Sequence, residues 1–162
     1  MPESVTNVVI AGLGGQGVLK ASDILAEAAF QAGFDVKKSE VHGMSQRGGS
    51  VASDVRFGTG VLSPMVPSGE ADFLVVLTAD QVEPNRHVLR DQGVLIAPDG
   101  IDENALPNRR SLNVAMLGIL SGYLGIDVPL WLNAIRANLP EKLHEVNIEA
   151  FKLGRSAADD SP

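Results

Sequence analysis

Two short stretches hold the residues whose types and spacing could do chemistry. The first is "GLGGQG" at residues 12–17, a G-x-G-x-x-G pattern with an additional glycine inside it. Placed between a strand and a helix, Gly12 permits a tight turn, Gly14 lets backbone approach a bound group, and Gly17 lets helix and strand pack closely. Gly15 clears more side chain from the loop, and Gln16 adds a carboxamide. N–H groups at the start of the following helix attract anions, so the chemistry implied is phosphate or diphosphate binding; the alternative is a glycine-rich turn that only packs tightly. The second stretch is "EVHGMSQRGGSV" at residues 40–51. It is too polar for a core and too heavily punctuated by glycine for a linker.

The elements that must position these stretches are legible on either side. "VTNVVIA" at residues 5–11 is a β-branched apolar run that Gly12 ends, which predicts a buried strand. A helix is expected over residues 16–32. Val18, Ala21, Leu25, Ala28 and Ala29 share one face of it, Lys20, Asp23, Glu27 and Gln31 the other, and Gly33 stops it. "FDVKKSEV" predicts a second strand running into the polar stretch. "SVASDVRFG" predicts a third, with a hairpin turn at residues 58–60 and "VLSPMV" as an edge arm confined there by Pro64. "ADFLVVLT" and "GVLIA" are buried strands, separated by a broken helical stretch over residues 80–91. From Asn113 onward the period is helical, and residues 155–162 read as a disordered tail. Strands alternating with helices early and helices late predict one α/β domain over residues 1–154, a Rossmann-like layered sheet with flanking helices, a hairpin insertion and a helical C-terminal part.

Composition narrows the function. Of 162 residues, 44% are apolar, enough for one compact core, and none is cysteine. A disulfide, a thiolate zinc site, a cysteine nucleophile and a conventionally ligated iron-sulfur cluster are therefore outside the reach of this chain. The N-terminus lacks a basic region followed by a long apolar run, and no segment is apolar enough to cross a bilayer, so a cytoplasmic protein with no membrane contact is expected. A net charge of −7 argues against nucleic-acid binding. Between Phe30 and Gly60, however, Lys37, Lys38, Arg47 and Arg56 outnumber Asp35, Glu40 and Asp54. A locally basic segment beside a glycine loop suits a small anion, although scatter among solvated faces gives the same count.

One reading of the glycine loop is a dinucleotide site. Glu40 lies 40 − 17 = 23 residues after Gly17, near the spacing of about 20 at which an acid could take a ribose hydroxyl. A dehydrogenase also needs a substrate domain, and little chain remains to build one, which leaves a free-standing NAD-binding module as the alternative reading.

Together, "GLGGQG", "SEVHGMSQRGGSVASDVRFG", "VEP", "NVAMLG" and "EVNIEAFKLG" resemble the gamma-type domain of the 2-oxoacid:ferredoxin oxidoreductases. The resemblance is strongest to the small subunit of the indolepyruvate branch and covers residues 7–154; pyruvate and 2-oxoglutarate relatives are the alternatives. It implies a subunit of a multi-chain enzyme that oxidatively decarboxylates an arylpyruvate to an acyl-CoA, carbon dioxide and reduced ferredoxin. The implied partner is a large alpha-type subunit carrying thiamine diphosphate, Mg and 4Fe-4S iron-sulfur clusters, and coenzyme A is the co-substrate at this chain. The resemblance makes Arg47 the pair of a coenzyme A phosphate through its planar fork, and the Gly48 and Gly49 backbone a further source of N–H donors.

Ser45 and Gln46 are candidate hydrogen-bond donors to the same phosphate or to the partner. Glu40 and His42 are candidates for the site or the partner interface. Asn113, at the start of an apolar helix, is a helix cap by composition, while its place in "NVAMLG" implies a site-facing role. No residue is expected to be catalytic or to ligate a metal, and the chain alone is expected to be inactive.

Overall fold

The computed structural model describes residues 4–42 and 49–159. Five strands form one sheet in the order β2-β3-β1-β4-β5. β1 (Val5–Leu13) runs into the glycine loop, α1 (Val18–Gln31) follows, and β2 (Asp35–His42) and β3 (Ser50–Gly58) come next. β4 (Ala71–Val76) and β5 (Leu89–Ile96) complete the sheet, with short helical turns including α2 (Val82–Asn85) between them. Three helices close the chain: α3 (Leu112–Ser121), α4 (Val128–Asn138) and α5 (His144–Asp159).

The central βαβ unit is split. β1, β4 and β5 are parallel neighbours, whereas β3 lies antiparallel between β1 and β2. The hairpin insertion is thus β2 with β3, joined through residues 43–49, and its register brings His42 opposite Val51 and Leu13 opposite Ser50. The predicted hairpin at residues 58–60 does not form. β3 is already hydrogen-bonded along both edges, so "VLSPMV" has no edge to join. It crosses the sheet instead as an irregular strap. Arg56 Nη1 donates to the Ser63 carbonyl (2.8 Å), and the Val61 and Val66 N–H groups donate to Asp35 (2.8 Å) and Asp54 (2.9 Å).

The two sheet faces are covered unequally. Val8, Ile10, Val55, Phe57, Val75 and Ile96 point to the face buried under α1, α3, α4 and α5, where Trp131 and Phe151 pack with ring centroids 5.6 Å apart. The opposite face, built on Val9, Ala11, Leu74 and Val76, is covered by Val66 of the strap and by Val82 and Val88 of the short helical turns. α1 buries the predicted stripe of Val18, Ala21, Leu25, Ala28 and Ala29, and adds Ser22 and Ile24. It begins two residues later than expected, because Gly17 is left-handed at φ 83 and serves as its N-cap.

Two further expectations are corrected. Residues 155–159 form the last turn of α5 rather than a tail, anchored where Arg155 Nη1 donates to the Ser121 carbonyl (3.2 Å) and hydroxyl (3.0 Å). The helical stretch before β5 ends by Val88, and β5 starts at Leu89, earlier than "GVLIA" suggested. Its first part was hidden because a register shift, with Gln92 at φ 64, interrupts the alternation.

α3 is buried on every side, from Asn113 to Ser121, which its apolar composition requires. It crosses α5 through glycine. A Cβ placed on Gly118 would strike the Phe151 carbonyl, and one on Gly154 would strike the Ala115 carbonyl. These are the glycines that end "NVAMLG" and "FKLG". They hold α3 against α5, and so fix where the N-terminus of α3 meets the glycine loop.

Candidate functional site

The site forms at the end of the sheet where β1 stops, β2 stops and β3 starts. In parallel α/β sheets this is where ligands bind, outside the carboxyl ends of the strands. Gly14 donates its N–H to the carbonyl oxygen of Gly49 at 2.8 Å. The glycine loop and the far end of the polar stretch are thereby joined, although the sequence separates them by a helix and a strand. A cavity of about 430 Å³ opens beside this junction, lined by Leu13, Gly14, Gly15, Gly17, Val18, Leu19, Lys20 and Val51.

The loop is braced from within. Gln16 Oε1 accepts the Leu13 N–H (2.7 Å), and the Gln16 N–H donates to the Leu13 carbonyl (3.1 Å). This closes a turn over Gly12, where a Cβ would meet Gln16 Oε1 at 2.8 Å. Gln16 and Gly12 therefore brace the loop from within and are not among the residues that line this cavity. Gly15 and Gly17 both adopt positive φ, 90 and 83, a conformation that costs other residues about 1–2 kcal/mol. Gly14 and Gly15 are exposed.

Asn113 reaches this loop from α3. Its Nδ2 donates to the Gly17 carbonyl at 3.1 Å, and its Oδ1 accepts the Val114 N–H at 2.9 Å. With 8% of its surface exposed, it is close to fully buried. It is not the helix cap, because α3 starts at Leu112 and its N-cap is Ser111. It touches the glycine loop and is not among the residues that line the cavity.

The expected cations are redistributed. Lys38 pairs with Asp23 and, at 3.3 Å, with Glu40. Burial works against its charge, but the hydrogen bonds and charges of Asp23 and Glu40 outweigh that and hold its ammonium above the ordinary lysine range. Arg56 is committed to Asn7 Oδ1 (2.8 Å) and to the strap. Glu40 Oε1 meets Lys38 at 3.3 Å on the α1 side of β2. The cation that does line the loop cavity is Lys20, in the first turn of α1, which among the described residues has no ion-pair partner. The amphipathic pattern of α1 assigned it to solvent. Its place three residues after Gly17 was the available signal.

Ser45, Gln46, Arg47 and Gly48 lie outside the described residues, as does the side chain of His42, whose backbone ends β2. Gly49 is the member of that group whose position is described. Among the described residues no cluster of metal-ligating side chains occurs, and no helix is long and apolar enough to cross a membrane.

Residues 7–157 match the family model of the pyruvate ferredoxin/flavodoxin oxidoreductases. The chain belongs to this family. It is 34% identical to the indolepyruvate oxidoreductase subunit IorB of Thermococcus kodakarensis, over 95% of this chain and 96% of that one. The fold matches the gamma subunit of a keto/oxoacid ferredoxin oxidoreductase from Geobacter sulfurreducens, with TM-score 0.80, 24% identity and coverage of 96% and 97% of the two chains. It also matches, with TM-score 0.80 and 19% identity, a 2-oxoglutarate:ferredoxin oxidoreductase from Magnetococcus marinus solved with 2-oxoglutarate, coenzyme A and succinyl-CoA bound. There this chain covers 32% of a longer one. The split sheet is thus a domain that occurs both as a separate subunit and within a larger polypeptide.

Proposed function

We propose that this chain is the small, non-thiamine subunit of an indolepyruvate (arylpyruvate) ferredoxin oxidoreductase and that it holds coenzyme A for the reaction. The observation that carries this reading is the 2.8 Å bond from Gly14 to Gly49. It seats the end of the Arg47-Gly48-Gly49 segment on a glycine loop whose geometry suits a phosphate. Glu40, turned to Lys38, argues against the nicotinamide alternative.

In the overall reaction an arylpyruvate, coenzyme A and two oxidised ferredoxins give an acyl-CoA, carbon dioxide, two reduced ferredoxins and a proton. Thiamine diphosphate, when bound with Mg on the large alpha-type partner, supplies carbanion stabilisation, and the partner's iron-sulfur clusters take the electrons singly. This chain has no cysteine to ligate such clusters, which supports assigning them to the partner. This chain supplies orientation. Arg47, Lys20 and the amides at the start of α1 grip the charged end of coenzyme A, so that its thiol meets the acyl group already aligned. Such alignment is worth on the order of several kcal/mol of barrier. In this reading Ser45 and Gln46 add neutral donors, and His42 is a candidate for contact with the substrate or the partner. Ferredoxin and coenzyme A as co-substrates support a cytoplasmic location for the complex.

The test is co-expression with a large thiamine diphosphate-binding chain from the same organism, followed by CoA-dependent ferredoxin reduction with indolepyruvate, pyruvate and 2-oxoglutarate. Indolepyruvate is expected to give the highest kcat/KM and the small chain alone no activity. Arg47→Ala should raise the KM for coenzyme A about tenfold with kcat little changed. Full activity of the large chain by itself would sink the proposal.

A further inference from the structure

We propose that Asn113 is a positioning residue for coenzyme A, acting through the Gly17 peptide; this rests on the coenzyme A reading above. The Gly17 carbonyl accepts two hydrogen bonds, from the Ala21 N–H (2.9 Å), which is the first bond of α1, and from Asn113 Nδ2 (3.1 Å). Across a trans peptide the C=O and the next N–H point in opposite directions. Pinning the Gly17 oxygen inward therefore aims the Val18 N–H outward. Val18 is the first helical residue, so no carbonyl of α1 precedes it to take that proton, and it lines the loop cavity. The amide that a phosphate would meet is thus held by two bonds, one from α1 itself and one from a side chain on another helix.

Asn113 itself has no freedom to adjust. Its Oδ1 is taken by the Val114 N–H at 2.9 Å, so a flipped carboxamide would oppose donor to donor there and acceptor to acceptor at Gly17. α3 cannot shift to compensate, because Gly118 and Gly154 lock it backbone to backbone on α5. Gly17 has a matching constraint, since a Cβ on it would collide with Asn113 Nδ2. The last glycine of the loop is required by this contact as well as by its positive φ. Among side chains of similar size, an amide meets both demands. Aspartate would keep the Val114 bond and turn an oxygen against the Gly17 carbonyl, tipping the peptide and drawing the Val18 N–H out of line.

The experiment uses the assembled two-chain enzyme carrying Asn113→Asp, Asn113→Ala, Arg47→Ala or no substitution, assayed for kcat and for the KM of coenzyme A and of the 2-oxoacid, with thermal melting of each complex. The expected result is a rise in the KM for coenzyme A of about tenfold in Asn113→Ala and more in Asn113→Asp, with kcat within about twofold and the 2-oxoacid KM unchanged. A lowered melting temperature with an unchanged coenzyme A KM, while Arg47→Ala still raises it, overturns the role of Asn113 and leaves the coenzyme A reading standing. An unchanged coenzyme A KM in Arg47→Ala as well removes both. Failure of both Asn113 variants to assemble with the large chain makes the residue a folding determinant, and also overturns the proposal.

Discussion

Gly154 of α5 lies so close to the carbonyl oxygen of Ala115 on α3 that no side chain fits between them. The reciprocal approach of Gly118 to the Phe151 carbonyl makes this a backbone-to-backbone crossing, and the neighbouring Trp131 and Phe151 rings are fully buried around it. Helices that touch this way cannot slide by a methyl group without opening the core.

Gly154→Ala is therefore expected to destabilise the chain by about 1–3 kcal/mol, the range for overpacking a closed core. Gly125→Ala is the control, because a Cβ there meets nothing within 4 Å. Urea denaturation of the three proteins measures the difference. Equal midpoints for Gly154→Ala and Gly125→Ala would refute the crossing.

Lys20 is expected to act on coenzyme A through charge. In the two-chain enzyme Lys20→Ala should raise the KM for coenzyme A several-fold, and Lys20→Glu should raise it further, by placing an anion beside the same phosphate. Because Lys20 is exposed, added salt should shrink the gap between wild type and Lys20→Ala. A salt-independent effect would point to packing instead.

Gly17→Ala combines a left-handed backbone with a collision at Asn113 Nδ2. It should cost about 1–3 kcal/mol of stability and raise the KM for coenzyme A by more than Gly33→Ala, since Gly33 is equally left-handed but has nothing within 4 Å of its Cβ. Equal melting temperatures and equal KM values for the two variants would contradict the loop contact.

Asp54 gives a pH-dependent prediction. Burial pushes its carboxyl above the ordinary aspartate range, against the opposing effects of the Val66 N–H and of Arg56. A raised folded-state pKa means that the folded chain binds its proton more tightly than the unfolded chain does. The stability this contributes is present at acid pH and is lost as pH rises through the folded pKa. Asp54→Asn keeps an acceptor for Val66 without that charge, so it should melt higher than wild type at pH 7, and the advantage should fade on acidification towards pH 4. An advantage that grew on acidification would contradict this assignment.

Legibility in the sequence followed the range of the interactions. The β1 run, the buried face of α1 and the buried strand β4 were read correctly, because local alternation and helical period are set by neighbours in the chain. The hairpin was placed one strand too late. "GTG" reads as a turn by composition, but turn residues cannot reveal that both edges of β3 are already paired. At the site, the glycine loop and Gly49 were legible as motifs, and their union was not, since a bond from Gly14 to Gly49 is a product of sheet order. Lys20, on the polar face of α1, is exposed as its position predicts and also borders the cavity, while Gln16 turns its carboxamide back onto Leu13. Amphipathicity distinguishes core from surface; it does not distinguish bulk water from a cavity mouth.

The contact of Asn113 with Gly17 has an electrostatic consequence. Asn113 belongs to the opening turn of α3 and Gly17 caps α1, so two positive helix poles abut at one end of the sheet, with Lys20 beside them. Each pole carries roughly half an elementary charge, and their mutual repulsion is relieved when an anion settles between them. If a phosphate binds beside Lys20 as proposed, it should double as mortar for this corner of the fold, and added phosphate is expected to raise the melting temperature.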